Sequence, residues 1–128
     1  MSNDNEKYIP DGEWKGFYTY TSQNVKHHMS CYFTFRSGVI NGRGNDDVGN
    51  YTWTGSYDDG LNIVLTKSYA RHQVFYKGYA DENGIWGNWK IIKSSGGFHL
   101  WPVKQDADCV VEKEEKQEAE LVSDKAVV

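Results

Sequence analysis

Gly12-Glu13-Trp14-Lys15-Gly16-Phe17-Tyr18-Thr19-Tyr20 is the stretch that decides the fold. Trp14, Gly16, Tyr18 and Tyr20 share one parity, and Lys15, Phe17 and Thr19 share the other. Period two over this length is the mark of a strand. A Trp near the start of the first strand is placed to plug one end of a closed sheet, and Gly16 lets a neighbouring backbone come close.

Seven more short alternating segments follow. The pattern predicts strands at 28–35, 39–45, 51–57, 61–69, 72–79, 85–91 and 97–102, with turn chemistry every eight to twelve residues. Arg36-Ser37-Gly38, Asp58-Asp59-Gly60 and Asp81-Glu82-Asn83-Gly84 are short turns. No helical period intervenes, so the expectation is all-β: an eight-stranded antiparallel up-and-down barrel. Inward glycines at 16, 42, 44, 55, 78 and 87 fit a tightly bent wall. A two-sheet sandwich is the alternative.

Composition supports a small aromatic core. Hydrophobic residues make up only 38% of the 128, but five Trp, nine Tyr and five Phe fill space efficiently. The chain divides into a flexible leader (1–11), the barrel (12–102) and an acidic tail (103–128), read as disordered or weakly helical. Residues 1–102 carry ten Lys/Arg and ten Asp/Glu, so the net charge of −4 resides in the tail. Without a basic stripe, nucleic-acid binding is not expected. The first ten residues hold no apolar signal-type segment and no stretch approaches membrane-spanning length, so no membrane association and a cytoplasmic location are expected. The two cysteines, Cys31 and Cys109, do not indicate a disulfide.

Gly12-x-Trp14 opening such a meander, with Gly97-Phe98-His99-Leu100-Trp101 closing it, resembles the calycin group of lipocalins, fatty-acid-binding proteins and avidins. Gly12-Glu13-Trp14-Lys15-Gly16 is also similar to the opening motif of the haem-binding nitrobindins. The resemblance covers residues 12–102 and implies a binder of small molecules or chain ends. Lipocalins are usually exported and disulfide-bonded, and fatty-acid-binding proteins insert two helices where this chain has only residues 21–27. The short strands fit the avidin-like subgroup best, although no biotin-contacting residue can be matched one by one. Lipocalins set a cation across the plug Trp; the candidate here is Lys104.

Parity and strand direction place a candidate ligand site. The three short turns fall at the end where the first strand begins, and the connections near 21–27, 46–50, 70–71 and 92–96 fall at the opposite, open end. There the inward parity turns polar: Tyr20, Asp46, Lys67, Tyr69 and His72 at the mouth, Tyr18, Tyr76 and Trp89 beside or below them. A buried Lys67 needs Asp46, a tyrosine oxygen or a ligand anion to keep its charge, unless it snorkels to solvent. Such donors suit an anionic or carbonyl group. Asp46-Asp47-Val48-Gly49 also reads as an Asx-type turn. Adjacent His27 and His28 face opposite ways, no zinc spacing occurs, and neither metal nor cofactor is expected. The competing classes are an acid/base enzyme using His72 with Tyr76 and an interaction module. The latter, or a homo-oligomer, would use the outward aromatics Phe75, Tyr79, Trp86 and Trp101.

Overall fold

The structure, a computed structural model, describes residues 7–103. Eight strands run in order: β1 (Gly12–Tyr20), β2 (His27–Arg36), β3 (Val39–Asp46), β4 (Asn50–Tyr57), β5 (Asn62–Ser68), β6 (Gln73–Asp81), β7 (Gly84–Ile91) and β8 (Ser94–Pro102). Each pairs antiparallel with the next, and β8 returns to β1 to close the barrel. Closure leaves no unpaired strand edge, the feature that otherwise templates aggregation. The acidic tail beyond Val103 and the proposed plug partner Lys104 lie outside the described residues.

The register explains the inward parity. Trp14 faces Cys31 on β2 and Pro102 on β8, and Tyr18 faces His27 and Phe98. Gly78 and Gly87 sit opposite one another on β6 and β7; a Cβ on either would lie 2.1 Å from a backbone oxygen of the facing strand. Only glycine lets the wall pinch this tightly. At the β2–β3 hairpin Ser37 and Gly38 have φ of 52° and 82°, the left-handed pair that matches strand twist in a two-residue turn.

Interlocking rings fill the lumen. Trp14, fully buried, meets Phe33 edge-on at 5.5 Å; Phe33 leans on Trp53 at 5.6 Å, Trp53 on Tyr76 at 4.9 Å, and Tyr76 on Phe98 at 4.8 Å. Ile40, Ile63, Leu65, Ile85 and Leu100 pack among them without exposed surface. Cys31 is a free thiol in this core, and burial pushes its pKa up to about 12.

Residues 7–11, read from sequence as part of a leader, lie against the end closed by the tight turns, termed the narrow end. Ile9 is buried, the Pro10 carbonyl accepts the Trp14 indole N–H at 2.9 Å, and Asp11 accepts the Phe35 amide at 2.7 Å. The expected connection at 92–96 is shorter in the structure. Ser94, Ser95 and Gly96 belong to β8, paired with Ile91, Lys90 and Trp89, which leaves a two-residue turn at 92–93. The end with the longer connections, termed the wide end, is therefore shaped mainly by 21–26, 47–49 and 69–72.

Candidate functional site

Lys67 lies on the inward parity of β5, one step from the wide end, and its side chain is completely buried, as is that of Asp46. Asp46 ends β3 paired with Met29 on the neighbouring β2. Lys67 Nζ spends its three N–H groups on the Asp46 carboxylate, the Tyr76 hydroxyl at 3.2 Å and Met29 Sδ at 3.4 Å. Five rings surround the ammonium, with centroids at 4.4 Å (Tyr51), 4.8 Å (Tyr18), 5.2 Å (Tyr69), 5.5 Å (Tyr76) and 5.6 Å (Trp53). Burial pulls the Lys67 pKa down, against the pull of Asp46 in the other direction. The snorkelling alternative does not hold, because the ammonium points into the barrel.

Asp46 has a double role. Its Oδ2 accepts from Lys67 and from the Tyr69 hydroxyl. Its Oδ1 accepts the backbone N–H groups of Val48 at 2.9 Å and Gly49 at 3.3 Å. The Asx-turn and ion-pair readings of this residue are thus both satisfied, by different oxygens. One carboxylate thus ties the 46–49 turn to the buried ammonium.

Asp47 turns toward β1 and β2. Its Oδ1 accepts the Tyr18 hydroxyl at 2.6 Å, and its Oδ2 meets His27 Nδ1 at 2.6 Å. Burial raises its pKa, but these two donors outweigh burial and hold the carboxyl below its ordinary value. Burial first, then the bond to Asp47, pushes the Tyr18 pKa upward; burial likewise raises those of Tyr51, Tyr69 and Tyr76. His27 stacks flat on Tyr18 at 4.8 Å and meets the Tyr20 ring at 5.4 Å. Trp89, anchored through its indole N–H to the Thr19 carbonyl at 2.9 Å, stands perpendicular to Tyr20 at 5.2 Å. His27 Nε2 is buried and has no hydrogen-bond partner.

The structure brings Tyr18, Tyr20, Asp46, Lys67, Tyr69, Tyr76 and Trp89 together at one end. His72, expected inward on β6, instead lies in the bend before that strand; it is exposed and stacked on Tyr69 at 4.7 Å. No hydrogen bond joins it to Tyr76, whose hydroxyl faces Lys67. Sequence reasoning missed His27 and Asp47. In the sequence His27 reads only as a candidate metal ligand, and Asp47 only as a turn residue. Their signal was the β1–β2 register, which sets His27 directly across from Tyr18.

Two grooves lie along the barrel wall. One, about 870 Å³, runs past Tyr32, Arg43, Asn45, Thr52 and Ser68; the other, about 400 Å³, runs past Phe17, Thr19, Trp86, Gly97 and His99. Among the described residues no cluster of three or more His, Cys, Asp or Glu is placed to hold a metal ion. Comparison with known protein families, curated proteins and solved structures finds no match to this chain.

Proposed function

We propose that this barrel is a binding protein that takes a small polar molecule, or the end of a chain, at its wide end. The observation that carries this reading is the fully buried Lys67–Asp46 pair beneath an aromatic rim. A barrel needed only for its fold would do as well with hydrocarbon there, because buried ion pairs seldom stabilise relative to well-packed apolar side chains. Polar groups kept at such cost, gathered at one end beside Asp47 and His27, fit a recognition site. The anionic or carbonyl ligand that the residue types favour must displace Asp46, since every Lys67 N–H is engaged.

The test is native mass spectrometry of the full chain, followed by NMR titration with small polar probes. Retained ligand, or amide shifts concentrated at Tyr20, His27, Asp47, Tyr69 and Trp89, is the expected result. Shifts confined to the outer wall would overturn the reading.

One observation favours a second use. Tyr79, Trp86, His99 and Phe17 are consecutive cross-strand partners on the outside of β6, β7, β8 and β1. A continuous outer row of this kind fits a protein-interaction surface.

A further inference from the structure

Resting on the binding role just proposed, we infer that the group recognised at the wide end is a primary ammonium, carried by a small amine or by the amino end of a peptide. The donors turned toward the two carboxylates are already committed. Lys67 and Tyr69 point at Asp46, while Tyr18 and His27 point at Asp47. What these residues leave for an incoming molecule is acceptors.

The first acceptor is the Asp47 carboxylate. Its side chain is 50% exposed although both oxygens are pinned from the barrel side. Lys67 cancels Asp46, so Asp47 is the uncompensated charge of the cluster whenever His27 is neutral. The second acceptor is His27 Nε2. A neutral imidazole that donates from Nδ1 to Asp47 carries its lone pair on Nε2, and that atom is buried without a partner. An unsatisfied buried polar atom is a standing cost that a ligand N–H relieves. The surrounding rings close Nε2 off, so full engagement requires one of them to move aside.

The rings complete the site. Tyr18, Tyr20 and Trp89 meet one another edge-on at 5.2–6.1 Å, with Tyr18 and Trp89 buried and Tyr20 the partly exposed ring of the three. The same chain already holds an ammonium this way: a carboxylate and five rings enclose the head of Lys67 in the interior. One level higher a carboxylate and rings meet again, and there Asp47 and Tyr20 are the members that reach solvent.

The experiment uses the full chain and four probes: methylamine, triglycine amide, N-acetyl-triglycine amide and acetate, followed by NMR and calorimetry. Methylamine or triglycine amide should bind, acetylation should abolish binding of the peptide, and Asp47→Asn should weaken binding about 30-fold or more. Tighter binding of triglycine amide than of methylamine identifies a chain end as the ligand; equal binding identifies a small amine. Tyr20→Leu, which leaves the Asp47 bonds intact, should also weaken binding. Acetate binding at the rim without amine binding would overturn this inference and leave the binding role standing. Binding of no probe, with no retained ligand in native mass spectrometry, would overturn both. Amine binding unchanged in Asp47→Asn and Tyr20→Leu would place it elsewhere and refute the assignment.

Discussion

Lys67 shows what a single buried charge demands of its surroundings. An ammonium without solvent needs an anion and hydrogen-bond acceptors, and here Asp46, Tyr76, Met29 and five rings supply them. Lys67→Met keeps most of the volume but strands the Asp46 carboxylate, with Tyr69 as its remaining side-chain donor. The expected loss is about 3–5 kcal/mol in urea denaturation, the range for breaking one side of a buried pair. Asp46→Asn keeps an oxygen for the Val48 and Gly49 amides while removing the charge, so adding it to Lys67→Met should recover most of the loss. A single mutant as stable as wild type would mean that Asp46 finds solvent or another partner when Lys67 is gone. Parity and strand direction set Asp46 and Lys67 at one end and left Asp46 as one of several partners for the ammonium. The partnership of His27 with Asp47 was not legible, because it depends on where a three-residue connection lays its second carboxylate.

At the scale of the element, β6, β7, β8 and β1 together make a wall with two different faces. Inside, the Gly78–Gly87 pair pinches the sheet and Tyr76, Trp89, Phe98 and Leu100 pack into the lumen. Outside, Phe75, Tyr79 and Trp86 remain 50%, 40% and 37% exposed, Tyr79 and Trp86 pack at 4.5 Å, and Trp101 leans on His99 and Phe17. Exposed aromatics arranged this way along adjacent strands serve association better than solubility. Trp86→Lys combined with Trp101→Lys should convert a self-associated species to monomer in sedimentation at tens of micromolar, with the far-ultraviolet spectrum unchanged. A wild-type protein that already sediments as a monomer there would exclude micromolar self-association through this face. Strand count and parity were readable from alternation. The start of β8 at Ser94 was not: Ser-Ser-Gly has the composition of a loop, yet pairing with β7 carries the strand through it, and Gly96 pairs with β1 as well.

For the whole molecule, the burial of tyrosine decides the response to alkali. Burial raises the pKa values of Tyr18, Tyr51, Tyr69 and Tyr76, with Asp46 or Asp47 adding to the rise. In the unfolded chain each of these phenols ionises near pH ~10. A group whose folded pKa lies above its unfolded value contributes stability that is complete below the unfolded pKa and is lost as pH rises past it. The barrel should therefore be driven open above about pH 10, with part of the phenolate absorbance at 295 nm appearing together with loss of the strand circular dichroism. Smooth ionisation of all nine tyrosines before any change in circular dichroism would show that these hydroxyls are accessible in the folded state.

The sequence by itself determined the class of this protein: eight strands, their inward parity, the Trp14 plug and the polar bias of one end. These follow from period-two alternation and turn chemistry, which are local. It also placed Lys67 and Asp46 at the same end, since strand direction alternates in a meander. Tertiary structure alone decided that the lumen is filled by rings, that residues 7–11 pack on the narrow end, and that His72 stays outside on Tyr69. It alone turned Asp46 toward Lys67 and Asp47 toward Tyr18 and His27. Adjacent residues in a turn have no fixed parity. Their directions are set by which partners the closed barrel brings within hydrogen-bond reach, a non-local matter that no local pattern encodes.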